Sequence, residues 1–269
     1  MSKRLFALAV AVAALVAVCL AGLKIYTEKI RFSQDENFRR VFAQMNPAGD
    51  GAPAPGPRIQ NPVALTFDDG PHPDYTPQLL EIMRSFNAKC TFFLVGKMAA
   101  KHPDLVKAIH DAGHEIGNHS YNHPVLTRIP QSEVYGELAR NNETLERVTG
   151  EKMKYFRPPS GRYNTFILKT AADMGLLTIY WSRFPADYGC TDRNVVRKRV
   201  VSGLRPGDIV ILHSGVDATI QALPLILAEL RDAKFTCVTV TDLLKSGGDA
   251  VSGPIIYRVE QQSETGGSF

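Results

Sequence analysis

The stretch Val63-Ala64-Leu65-Thr66-Phe67-Asp68-Asp69-Gly70-Pro71 decides the fold. Its first five residues read as a buried strand, and it ends in a group of residues that favour turns. Two adjacent carboxylates at a strand end, above an apolar core, are a costly way to build a turn, so they call for a functional reason. The pattern repeats outward from there. Strand-like runs are expected at 62–67, 90–95, 114–117, 154–157, 176–181, 208–212 and 235–239. Helical patterns separate them near 76–86, 103–112, 131–148, 164–174, 193–202 and 219–232. Such alternation with short connections predicts a parallel α/β sheet or barrel. Candidate reactive residues fall at or just after the C-terminal ends of the strands, where α/β barrels build their sites.

The second informative feature is Gly117-Asn118-His119-Ser120-Tyr121-Asn122-His123-Pro124. Positions i and i+4 share one face of a helical turn, so a helical turn is expected here, with both imidazoles reaching one cation. Asp69 can complete a two-histidine, one-carboxylate set, which leaves coordination positions open. Asp68 can then act as a base on water. Alone, the histidine pair reads as a polar surface pair and the Asp-Asp-Gly-Pro as a turn. Their conjunction points to a metal site.

Five segments in order resemble the motifs of the polysaccharide deacetylases, carbohydrate esterase family four. They are Thr66-Phe67-Asp68-Asp69-Gly70-Pro71, His119-Ser120-Tyr121-Asn122-His123, Arg157-Pro158-Pro159-Ser160-Gly161, Asp187-Tyr188 and Ile209-Val210-Ile211-Leu212-His213. The resemblance runs from about Asn61 to Leu244. It implies a distorted, incomplete (β/α) barrel of about seven parallel strands in a single catalytic domain. It also implies metal-dependent removal of N-acetyl groups from amino sugars. A bound metal polarises a carbonyl and activates water. Asp69, His119 and His123 match the ligands of a divalent ion. Zinc is the default, and cobalt or nickel also suit these donors.

Asp68 matches the family's general base and Arg157 the arginine that holds it. His213 matches the general acid and Asp187 the carboxylate that pairs with it and raises its pKa. The backbone N–H of Ser160 is the expected oxyanion donor, with Tyr188 and Leu212 lining the acetate pocket. For each there is a plainer alternative: a salt bridge for Arg157, a core histidine for His213, a loop aspartate for Asp187, a core leucine for Leu212. Tyr163 and Trp181 stay open between core and sugar-stacking roles. The chain departs from the family pattern at Ser160 (usually tyrosine), Phe184 (commonly aspartate), Tyr188 (often tryptophan) and Ser214 (frequently aspartate). None of these removes a ligand or the acid–base pair. The departures put substrate preference and the support of His213 in question.

Length and charge bound the rest. The chain of 269 residues with 44% hydrophobic content accommodates one domain of about 200 residues plus extensions. A net charge of +4, with no basic cluster interleaved with aromatics, gives no basis for nucleic-acid binding. Lys3 and Arg4 precede the uncharged run Leu5 to Leu23. At about 1.5 Å per residue, that run as a helix nearly spans a core of about 30 Å. Residues 1–24 are therefore read as a single-pass membrane anchor, with a cleaved signal segment as the alternative. Residues 25–60 read as a juxtamembrane helix and a Pro/Gly-rich linker, 61–245 as the catalytic domain, and 246–269 as a loose tail. No Cys-x-x-Cys spacing occurs, and no essential disulfide is expected.

The expected localisation is the cell membrane, with the catalytic domain on the extracytoplasmic side. The expected substrate is peptidoglycan N-acetylglucosamine, acted on by a monomer. Chitooligosaccharides, a lipid-linked amino sugar, or a non-catalytic glycan-binding role are the alternatives. Retention of Asp68, which a pure binding site does not need, argues against the last.

Overall fold

Among the residues described by the computed structural model, 59–246, seven strands alternate with eight helices. The strands are β1 (Pro62–Gly70), β2 (Thr91–Leu94), β3 (Glu115–Asn118), β4 (Tyr155–Phe156), β5 (Leu177–Thr178), β6 (Ile209–His213) and β7 (Thr236–Cys237). The helices are α1 (Thr76–Ser85), α2 (Gly96–Lys101), α3 (Pro103–Asp111), α4 (Gln131–Thr149), α5 (Thr165–Asp173), α6 (Arg193–Val201), α7 (Asp217–Asp232) and α8 (Val240–Lys245). The expected anchor, most of the 25–60 segment and the tail beyond 246 lie outside the described residues. Among the described residues, no helix is long and apolar enough to cross a membrane.

Every strand pairing is parallel, in the order β5-β4-β3-β2-β1-β6, with β7 joined to the start of β1 at Pro62 and Val63. A regular ladder does not close the sheet. Arg183, beyond β5, reaches Val210 of β6 through one isolated parallel bridge. This is the distorted, incomplete seven-stranded barrel that the family resemblance implies. The distortion follows from β4, β5 and β7, each of which has only two residues in regular pairing.

β1 is apolar on both faces because one meets the barrel interior and the other the surrounding helices. Val63, Leu65 and Phe67 are fully buried, and Phe67 stacks on Phe92 of β2 with ring centroids 5.4 Å apart. Thr66 is the buried polar exception in this run, and it serves the site. Helices α2 and α8 escape the sequence reading because six residues are too few for a periodic pattern. Cys90, Cys190 and Cys237 are free thiols.

Candidate active site and metal centre

The strands deliver their reactive residues to one end of the barrel. Asp68 and Asp69 end β1, His119 follows β3, Arg157 follows β4 and His213 ends β6. A cleft of about 430 Å³ lies there, lined by both aspartates, His119, His123, His213 and a wall that includes Trp181 and Phe184.

Asp69 Oδ1 lies 3.4 Å from His119 Nε2 and 3.1 Å from His123 Nε2. The three donor atoms all fall within 4.8 Å of one another. Ligand atoms about 2.1 Å from one ion in a tetrahedral arrangement stand about 3.4 Å apart, so the set fits a divalent metal. The tautomer fits as well. His119 Nδ1 lies 2.7 Å from the Arg157 carbonyl oxygen, which can only accept, so Nδ1 carries a proton and Nε2 is the nitrogen left to face a metal. Burial opposes charge on Asp69, but hydrogen bonds and charge from His119 and His123 outweigh it and hold its pKa well below the usual range.

The histidines do not share a helical turn. His119 leaves the end of β3, and Ser120 and His123 both take positive φ, 61° each. The residue before a proline disfavours helix, and His123 precedes Pro124. Side chains then take the loop's backbone donors. Ser120 N–H donates to Asn118 Oδ1 (2.7 Å), Asn122 N–H to Glu137 (2.7 Å) and His123 N–H to Ser120 Oγ (3.1 Å). The rings still meet, with centroids 4.9 Å apart. The spacing identifies the pair, but a built loop rather than a helix brings the rings together.

Asp68 is 2% exposed and points between the metal set and Arg157. Its Oδ2 stands 3.8 Å from His119 Nε2, and its Oδ1 accepts from Arg157 Nη1 at 2.6 Å. Arg157 is fully buried. It also donates to Thr66 Oγ1 (2.7 Å), the Ile179 carbonyl (3.2 Å) and the Tyr180 carbonyl (3.0 Å), and its guanidinium lies 4.0 Å from the Phe93 ring centroid. Thr66 in turn donates to the Val210 carbonyl at 2.8 Å.

His213 donates from Nδ1 to Asp187 Oδ1 at 2.7 Å, and its backbone N–H donates to Oδ2 at 2.9 Å. Burial works against the imidazolium. The hydrogen bond and charge of Asp187, with the charges of Asp68 and Asp69, outweigh it and raise the His213 pKa. Asp187 follows Ala186, whose φ of 51° turns the chain so that the carboxylate faces inward.

Ser160 lies on the cleft with φ 56°, in a short 3-10 turn beside Gly161. A Cβ on Gly161 would stand 2.7 Å from Trp181 Cη2, so only glycine lets the turn approach that ring. Tyr188 walls the opposite side, edge-on to His213 with centroids 5.3 Å apart. Leu212 does not line the cleft. It packs fully buried in the core, and Ile211 takes the place on the wall. Strand alternation puts Ile211 and His213 on one face and Leu212 on the other, a signal already present in the sequence. Trp181 lines the cleft. Tyr163, 51% exposed, meets Tyr180 edge-on at 5.2 Å, in a row of rings that continues through Trp181 and Phe184 to Tyr188. Thr66, Ile211 and the Arg157 carbonyl are site components that sequence reasoning missed.

The fold and site define a barrel hydrolase with a two-histidine, one-carboxylate centre between a buried carboxylate and a carboxylate-paired histidine. The chain belongs to the polysaccharide deacetylase family, whose profile matches residues 56–179. It is 37% identical over 194 residues to a peptidoglycan-N-acetylglucosamine deacetylase of Bacillus cereus, covering 70% of this chain and 91% of that protein. A solved peptidoglycan N-acetylglucosamine deacetylase, crystallised with 4-naphthalen-1-yl-N-oxidanyl-benzamide, superposes with a TM-score of 0.66 at 34% identity, over 70% of this chain and 90% of that one. A CE4 family pseudoenzyme from Bacillus anthracis superposes with a TM-score of 0.65 at 31% identity, over 72% of this chain and 70% of that one.

Proposed function

We propose that this protein is a metal-dependent N-deacetylase of an extracytoplasmic polysaccharide, with peptidoglycan N-acetylglucosamine as substrate and zinc as its metal. Likeness to a pseudoenzyme as well as to named deacetylases makes the residues themselves the deciding matter. The observation that carries the reading is Asp68. A site that only binds metal and glycan uses Asp69, His119 and His123. It has no use for a second carboxylate, 2% exposed and clamped by a fully buried arginine.

When bound, the metal polarises the acetyl carbonyl and makes water nucleophilic near neutral pH. Asp68, held in place by Arg157, takes the proton of the attacking water. The backbone N–H of Ser160 serves the developing oxyanion. His213, protonated and oriented by Asp187, gives the Nε2 proton to the leaving nitrogen as the C–N bond breaks. Phe184 and Tyr188, 51% and 64% exposed at the cleft, suit the apolar face of a sugar ring. The uncharged run Leu5 to Leu23 supports tethering the domain within reach of the wall.

The test is acetate release by the full chain from peptidoglycan, chitooligosaccharides and a lipid-linked amino sugar, with zinc, with cobalt and after metal removal. Metal-dependent release from peptidoglycan that Asp68→Asn abolishes is the expected result. Release from another substrate alone reassigns the polymer. Metal binding without release from any of the three overturns the catalytic reading.

A further inference from the structure

Asp187 is fully enclosed, and its carboxylate accepts three hydrogen bonds. Two come from His213 itself. The third comes from Thr219 in the first turn of α7, whose Oγ1 donates to Oδ2 at 2.6 Å. Thr219 is also fully buried. We propose that Thr219 is a positioning residue for the acid step, fixing Asp187 and through it the ring of His213; the proposal rests on the deacetylase reading above.

The local structure shows why a third partner is needed. Asp187 stands in a three-residue 3-10 turn behind a residue with positive φ. Such a segment has little regular hydrogen bonding to hold a side chain in place. Helix α7, sixteen residues long, is the rigid element beside it. The Thr219 hydroxyl ties the turn to that helix, and the N-terminal turn of a helix also favours a nearby negative charge. Without solvent to rotate into, the carboxylate keeps both oxygens engaged, and one fixed group holds the imidazole through Nδ1 and the backbone of the same residue through its N–H. Ser214, next to the histidine, does not supply this support. Its Oγ is buried without a hydrogen-bond partner.

Thr219→Val keeps the side chain's shape and removes the donor. The test compares two substrates in the metal-loaded full chain. An acetamide, such as a chitooligosaccharide, requires a proton for its leaving amine. An aryl acetate, such as 4-nitrophenyl acetate, expels a stable phenolate without one. Thr219→Val is expected to lower kcat on the acetamide about ten- to a hundredfold, with KM changed by less than about twofold. The aryl acetate rate and metal content stay near wild type, Tm falls by only the few degrees that one lost buried hydrogen bond entails, and Thr219→Ser restores most of the acetamide rate. His213→Gln, run alongside, is expected to show the same substrate selectivity in larger measure. If His213→Gln is selective and Thr219→Val is not, the positioning role is wrong and the acid assignment stands. If Thr219→Val loses both substrates equally with a fall in Tm, the hydroxyl is only structural. If His213→Gln loses both equally, the acid assignment fails and this inference with it.

Discussion

Asp68 and His213 are register partners on adjacent parallel strands, β1 and β6. Paired residues leave a sheet on the same side, so both side chains reach the cleft from the strand ends. The proposed base and acid are thereby fixed by backbone pairing rather than by loop conformation. Removing the base function alone, as Asp68→Asn, is expected to lower kcat by about 10²–10⁴. Metal content stays at the wild-type level because Asp68 is not in the donor set. His119→Ala is expected to lose the metal and the activity together. Metal analysis and acetate release on both variants check this. An Asp68→Asn protein that loses its metal would place that residue among the ligands.

The Asp187–His213 pair predicts the alkaline side of the pH profile. The raised pKa of His213 keeps it protonated above its ordinary value of 6.5, so acid catalysis persists there and fails as pH rises through the raised value. Asp187→Asn removes the main group that raises it and leaves burial, which lowers it. The alkaline limb of kcat/KM is therefore expected to move to lower pH, measured from about pH 5 to about pH 9. An unmoved limb would assign that ionisation to another group.

The strands of the barrel were readable in the sequence because they are short, largely apolar runs, several of which end at or just before a polar residue of the site. Asp68 and Asp69, and His213 at the end of Ile209–Leu212, show this most plainly. Three features were not readable in the same way. The bend at His119–His123 depends on Asn118 and on Glu137 of α4, which are remote from the histidines' own spacing rule. Thr66 looks like any β-branched strand residue until Arg157 is seen against it. The partnership of Thr219 with Asp187 spans 32 positions, and no local pattern reports it. Leu212 was a different kind of miss, since alternation alone points it away from His213.

At the opposite end of β3, the buried His114 predicts how the fold responds to acid. Its ring is edge-on to Phe92 at 5.6 Å, and the Cys90 N–H donates to its Nδ1 at 3.3 Å. Burial, with a smaller effect from Lys89, depresses its pKa from 6.5 to about 4. The folded state binds this proton less readily than the unfolded chain. Stability is therefore fully present above about pH 6.5 and is lost as pH falls toward 4, by about 3 kcal/mol in all. Urea unfolding of wild type and His114→Phe across that window is expected to show a shallower slope for the variant, whatever its absolute stability. Parallel slopes would mean that His114 titrates normally.

Arg157 and Asp68 form a pair with almost no solvent exposure, which sets the consequence of breaking it. Removing one partner of a buried ion pair leaves the other charge unpaired and costs about 3–5 kcal/mol. Arg157→Met is expected to destabilise the fold by about that amount and to abolish acetate release. Arg157→Lys keeps the charge but cannot reach Asp68, Thr66, Ile179 and Tyr180 together, because an ammonium lacks the planar fork. It is expected to lie between Met and wild type in stability while still losing most activity. The double variant Asp68→Leu/Arg157→Met removes both charges and is expected to recover much of the lost stability without recovering function. Equal destabilisation of the single Met variant and the double variant would mean that the cost lies in the lost carbonyl partners, not in a stranded carboxylate. Equilibrium unfolding in urea with metal bound separates these outcomes.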